Sequence, residues 1–288
     1  MPRPTGLLPP TPARPRLRIG KHLAASHTVP DEADWLSQVG NWDMYRNDQI
    51  GDCGPASGGH YVAAASTAAG HPHIPTVDDV IDLYRRVSGY DPATGRHDDG
   101  VIMQDLLSEM RKGGLAGKQI LAFAEVDVSN RDEVDLCIDL FGGVLIGANM
   151  PRDAEVQFDA GQPWTPTSGR GGRAGSWGGH AMHAGRYSRI RKARDVTTWG
   201  RVQVMTDAWW YRYVAEAWVI ITEEWVQANG FTPSGLDLYG LGRELAELTG
   251  EPNPIPAPQP APTPVLPAVD ANAALVAAFE QWRQVVNA

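Results

Sequence analysis

The sequence predicts an α+β protein, helices first and strands later, folded as two packed lobes with a groove between them. Helical periodicity marks the first half of the folded region. Runs rich in β-branched and aromatic residues dominate the second half, and a glycine-rich loop ending on a histidine separates two of them.

At 288 residues the chain suffices for one large domain or two modest ones, and ten tryptophans imply a substantial core. The net charge of -9 argues against a phosphate backbone as partner, so no nucleic acid is expected. No run approaches the ~18 apolar residues of a membrane span. The N-terminal "MPRPTGLLPPTPARPRLRIG" is basic but lacks the apolar stretch of a secretory signal. Its prolines predict an extended arm over 1–33, lying on the domain or trailing from it.

The folded region is expected to begin near "DEADWLSQVGNWDMY" and to run over 34–250. "GPASGGHYVAAASTAAG" reads as a buried helix ending at Gly70. "TVDDVIDLYRRVSG" is an amphipathic helix with Thr76 as cap, acids in its first turn and arginines in its last. "VIMQDLLSEMRKGG" repeats the pattern, with Ile102, Leu106 and Met110 on one face. A further helix at about 130–141 carries Cys137 beside Val134, Ile138 and Phe141, which predicts a core thiol. The strand candidates are "GGVLIGANM", "HAMHAGRYSRI", "TTWGRVQVM" and "AEAWVIIT". The cluster "WWYRY" reads as packing or groove wall. The loop "TPTSGRGGRAGSWGGH" matches no phosphate-binding pattern.

Residues 251–267, proline at almost every second position, predict a semi-rigid linker. Beyond it, 268–288 read as an amphipathic helix capped by Asp270, with Leu275, Phe279, Trp282 and Val286 on one stripe. That stripe must be buried on its own domain, on a second copy or on a protein partner.

Two cysteines make no disulfide framework, although a Cys53–Cys137 bridge stays open. Cys53 lies in "NDQIGDCGPASGGHYV", where a glycine-rich turn meets the alanine-rich helix. A nucleophilic cysteine needs a lowered thiol pKa, a histidine in reach and oxyanion donors. The helix start favours thiolate, and Pro55 is tolerated in a first turn. Gly51 and Gly54 permit close approach of a substrate. The Cys53 backbone N–H and the Gln49 side chain are candidate oxyanion donors. Asp52 is ambiguous: its carboxylate opposes thiolate formation, or it caps the turn. Among eight histidines, His180 is best placed, opening a strand after the glycine-rich loop beside Gly179. His183, three residues on, faces the other side of the strand. His60 reads as structural, and His71 and His73 as loop residues.

These segments, from about Asp34 to Ile221, resemble the papain-like cysteine peptidases. "ADW" stands at the family's N-terminal Asp-Trp, and "QIGDCGPAS" at its Gln-x-Gly-x-Cys-Gly-x-Cys-Trp-Ala. "CIDLFGGVLIGANM", "GGHAMHAGRY" and "TTWG" stand at its later helix-strand, histidine-strand and Asn-Ser-Trp-Gly segments. The resemblance implies a two-lobed fold whose β-rich lobe is a barrel-like antiparallel sheet. It implies Cys53 as nucleophile, His180 as base and later acid, and Gln49 as oxyanion donor. Thr197 falls at the position of the histidine-orienting Asn, and Trp199 is the ring shielding the histidine. No cofactor or metal is implied, and the substrate is a peptide or protein. Gln49 is four residues before the cysteine, two closer than in the family. Threonine replaces asparagine, and either Asp195 or Asp207 is an alternative partner for the histidine. The family's disulfides are not expected from two cysteines, and the roughly thirty residues before Asp34 are expected to be too few for its long propeptide.

"DCGPA" is also similar to the Asp-Cys-Gly-Pro-Ala motif of bacteriocin-processing peptidases. The leading expectation is a peptidase of microbial or phage origin, cytoplasmic or virion-associated. The alternatives are a papain-fold structural or interaction protein without turnover, such as a phage particle component, and a peptidoglycan amide hydrolase.

Overall fold

In a computed structural model, residues 3–23, 28–223 and 237–257 are described. The helices of the first half form where local signals converge. α1 (Cys53–Ala68) is buried almost throughout, because its Ala and Gly residues let neighbours approach: Gly58 meets Met110, and Gly59 meets Tyr45 and Val80. α2 (Val77–Ser88) starts on a capping box between Thr76 and Asp79 and ends on Gly89 at φ 78°. α3 (Met103–Lys112) packs Leu106, Leu107 and Met110 inward.

The second half supplies most of a seven-stranded antiparallel sheet, β3 (Val144–Met150), β4 (Gly178–Ser188), β5 (Ala193–Thr198), β6 (Arg201–Thr206) and β7 (Val214–Ile221), and the first half adds β1 (Glu32–Asp34) and β2 (Ala122–Val126). Its main order is β2-β7-β3-β4-β5-β6, with β1 added to β4. The barrel-like sheet expected for this lobe is open, with β2 and β6 at the ends of the path. Strand alternation divides the residues between two cores. Leu145, Trp218 and Ile220 face the helical lobe with Leu106 and Met110. Ile146, Ala217, Val219 and Ile221 face the second core, which holds Trp164, Trp209 and Trp210. That core is closed by α4 (Arg131–Phe141), α5 (Asp153–Asp159), α6 (Asp207–Tyr213) and α7 (Leu238–Thr249).

Several expectations are refined. "TTWGRVQVM" is not one strand but the β5–β6 hairpin, turning at Trp199 (φ 44°) and Gly200 (φ 73°). Two consecutive positive φ values are what a two-residue hairpin turn requires. β2, α5 and α7 were not singled out by periodicity. Cys137 is a buried thiol in the β-lobe core, and both cysteines are free. The described residues before 34 reach the body of the molecule: Leu17 and Ile19 are buried, and β1 pairs with β4. The proline-rich segment is described only to 257, where Ile255 is buried in the same core. The rest of it, and the expected helix over 268–288, lie outside the described residues. Among the described residues no helix is long and apolar enough to cross a membrane.

Candidate active site

The two lobes meet where α1 begins. Cys53 is the first residue of α1 and is 1% exposed. Its sulfur accepts a hydrogen bond from the Ala181 N–H at 3.4 Å, which ties the helix start to β4 beside His180. Gly54 lets the Val101 side chain press on the helix start; a Cβ there would collide with it.

His180 is fully buried in the centre of the sheet, paired with Ala148 of β3. Its Nε2 lies 2.7 Å from the Thr198 hydroxyl. Trp199 stacks on the imidazole at 4.3 Å between centroids and 21° between planes, and Trp177 stacks in turn on Trp199. The hairpin turn sets this geometry, because the left-handed backbone at Trp199 swings its ring back over β4. His180 Nδ1 is buried with no hydrogen-bond partner among the described residues.

Thr197, the residue expected to hold the histidine, is not its partner. Thr197 stands opposite His183 in the β4–β5 register and its hydroxyl reaches the His183 carbonyl at 3.5 Å. Side chains alternate along a strand, so the neighbour Thr198 takes the face that His180 shares. The alternatives also fall away from the ring. Asp195 binds Arg186, and Asp207 binds Arg194 at 2.6 Å and Arg131 at 3.1 Å. His183 turns to the opposite side and meets the Gly142 carbonyl at 3.0 Å. His60 is buried, bonded to the Asp43 carbonyl at 2.8 Å, and desolvation lowers its pKa to about 4.

The oxyanion side departs from expectation in the same way. Gln49 is exposed. The buried carboxamide is Asn47, 3% exposed, whose Nδ2 donates to Asp52 Oδ1 at 3.0 Å. Asn47 precedes Cys53 by six residues, the spacing that Gln49 lacks, and that count was the available signal. Asp52 makes no side-chain cap to α1; burial pushes its carboxyl well above the usual range, and its Oδ2 has no partner among the described residues.

An extended peptide from the same chain fills the groove. Val101 N–H donates to the Gly6 carbonyl at 2.8 Å, Leu8 N–H to the Val101 carbonyl at 2.9 Å, and Leu7 N–H to the Gly179 carbonyl at 2.9 Å. The arm thus bonds to both lobes. The Gly6 N–H approaches the Cys53 sulfur. A Cβ on Gly6 would overlap the Gly51 carbonyl, and one on Gly179 the Leu7 carbonyl. Gly51 itself is fixed by its N–H to Asp98 Oδ1 at 2.8 Å. Upstream, Arg3 lies over the Phe158 and Trp199 rings, and Trp177 Nε1 donates to its carbonyl at 3.1 Å. A cavity of about 660 Å³ lies elsewhere, beside Val62, Ala65 and Ile120 on α1 and its neighbours.

Burial governs the electrostatics. It pushes the Cys53 thiol up to about 12, against the lowering effect of the Ala181 and Gly6 N–H groups and with a further rise from Asp52. It lowers the His180 imidazole to about 3. Under the arm, therefore, both groups are neutral at pH 7. The constellation is a thiol at a helix start, an oriented imidazole, and N–H donors around the sulfur.

No family model matches the sequence, and no curated protein matches it. Solved structures do. Xylellain, a cysteine protease from Xylella fastidiosa, is similar with a TM-score of 0.57 at 13% identity, over 76% of this chain and 96% of that one. The proform of the Amb a 11 cysteine protease, a major ragweed pollen allergen, gives 0.50 at 13% identity, over 74% and 63%. At such identities the likeness is one of fold.

Proposed function

We propose that this chain, which has the papain-like α+β fold, is a cysteine peptidase that hydrolyses peptide bonds with Cys53 as nucleophile. The observation that supports this best is the peptide already lying across Cys53. The arm is held by backbone hydrogen bonds to Val101 and Gly179, a mode that accepts an extended peptide whatever its side chains.

A substrate takes the arm's place and water enters with it, which reduces the desolvation that keeps the pair neutral. His180 Nδ1, the ring nitrogen not committed to Thr198, takes the thiol proton, and Sγ attacks the amide carbonyl carbon. The oxyanion accepts from the Cys53 backbone N–H and from the Asn47 Nδ2 hydrogen not given to Asp52. His180 then protonates the leaving amine as the C–N bond breaks. A water, deprotonated by His180, hydrolyses the thioester to carboxylate and free thiol. Thr198 holds the ring's direction, and Trp199 covers its face.

The test is hydrolysis of a denatured protein substrate by the full chain and by Gly6→Glu, in which the arm cannot seat. Release of peptides that is abolished in Cys53→Ala supports the proposal; no release from either form overturns it. A second reading, a peptide-binding scaffold without turnover, is favoured by the neutral thiol and imidazole. It predicts peptide binding to Gly6→Glu with no cleavage of protein or of peptidoglycan stem peptides. Cleavage of stem peptides alone would move the substrate to the cell wall.

A further inference from the structure

The arm's side chains carry information that its backbone does not. Leu7 projects onto Gly147 of β3: a Cβ on Gly147 would stand 2.5 Å from Leu7 Cδ2 and 2.9 Å from Glu216 Oε1. Gly147 does not have a positive φ. A glycine inside a buried strand weakens it, so this position uses the missing side chain, for space, rather than backbone freedom. Glu216 lies opposite Gly147 in the β3–β7 register, where a bulge interrupts the ladder. It is 4% exposed. The Trp218 indole N–H donates to its Oε2 at 2.7 Å, while Oε1 is turned toward the bare glycine and Leu7.

Among the described residues no cation is within ion-pair distance of Glu216. Arg16, which acts on it from further away, is engaged by Glu125 and rests over the Trp218 ring at 5.8 Å. The surroundings are apolar: Leu145, Ala181 and Trp218 belong to the same core, and Leu7 packs against it. A buried carboxylate with an apolar approach is costly to keep ionised unless a cation meets it. Lysine and arginine have the matching form, an aliphatic stem with a charged tip. Leucine has an apolar body but no charged tip.

We infer that the pocket beneath Leu7 selects a basic residue of the substrate: Gly147 leaves room for its stem, and Glu216 Oε1 receives its ammonium or guanidinium. This rests on the peptidase reading of Cys53. The residue concerned is the one whose backbone N–H takes Leu7's place on the Gly179 carbonyl. The arm then fills the groove with a side chain that leaves the pocket's charge unanswered, which a basic peptide does not.

The experiment measures labelling of Cys53 by dipeptidyl vinyl sulfones, read by mass spectrometry, in the full chain and in full-length Gly6→Glu. Arginine, citrulline or leucine is placed in turn at each of the two positions. At one position, arginine should label at least about tenfold faster than leucine, and citrulline, which has arginine's shape without its charge, should behave like leucine. In Glu216→Gln the arginine preference should fall to within about twofold. The citrulline comparison needs no variant, so it decides even if Glu216→Gln does not fold. Labelling that depends on His180 but shows no arginine preference, or in which citrulline matches arginine, overturns the pocket assignment and leaves the nucleophile standing. If neither the probes nor iodoacetamide label Cys53, both readings fall.

Discussion

Nε2 of His180 and the hydroxyl of Thr198 are 2.7 Å apart, and among the described residues no other hydrogen-bond partner is found for the ring. A positioned ring nitrogen is what distinguishes a general base from a buried histidine. Thr198→Ala should therefore lower peptide hydrolysis about 10- to 100-fold, measured as kcat/KM. Thr197→Ala, whose hydroxyl faces His183, should stay within about twofold. An equal loss in both would show that the hairpin is needed for packing alone.

The Gly6 amide at the Cys53 sulfur makes thiol reactivity a reporter of the arm. Iodoacetamide should alkylate Cys53 of the unmodified chain more slowly than a free model thiol at pH 7, because burial holds the thiol up to about 12. Gly6→Glu puts a side chain where the Gly51 carbonyl stands, and should raise that rate by about tenfold or more. Cys137, buried in the β-lobe core, is the internal control and should react slowly in both. Equal Cys53 rates in the two forms would mean that the arm does not limit access.

Three buried histidines make stability depend on acid. His60 is lowered to about 4, and His180 and His183 to about 3, in each case first by burial. Their folded pKa values lie below the unfolded value of about 6.5, so their contribution is intact above that pH. It is lost as pH falls from about 6.5 toward 3 to 4, where the unfolded chain binds protons that the native state refuses. Each histidine should remove up to about 1.4 kcal/mol per pH unit within that window. Melting followed from pH 7 to pH 4.5 should show a steep loss of Tm, shallower in His60→Asn. A slope unchanged by His60→Asn would contradict the assignment.

Arg194 is 1% exposed and donates to Asp135 at 2.7 Å and Asp207 at 2.6 Å, with its guanidinium 4.7 Å over the Trp210 ring. Removing it takes the cation from the buried Asp135 Oδ1, while Arg189 still reaches Oδ2 at 2.9 Å and Arg131 at 3.4 Å. Arg194→Ala should destabilise by about 3–5 kcal/mol in urea denaturation. A change below about 1 kcal/mol would mean that Arg189 and Arg131 suffice.

What could be read from the chain was what is local. Thr76 and Asn130 accept at their helix starts, and the strand segments carry their own β-branched and aromatic bias. The order of Cys53, His180 and Trp199 located the groove, since each lies at the start of an element or at a turn. The choice between Thr197 and Thr198 was not legible, because it depends on which face of β5 meets β4, and register is a tertiary property. Gln49 was read from its place before the cysteine and from the likeness of "QIGDCGPAS" to the family segment, whereas the carboxamide that is buried is Asn47. The arm's path was hidden too. Its contacts are backbone hydrogen bonds and glycine clearances, which leave almost no side-chain pattern.

A tether turns the arm into a competitor that dilution does not remove. Segments joined by short flexible links experience local concentrations on the order of millimolar, so a free peptide of equal intrinsic affinity must reach that level to share the groove evenly. Weak, incidental peptides in the micromolar range lose that contest. The peptides that win are those presented at high local concentration, or those making a contact that the strand through Gly6 and Leu7 cannot make.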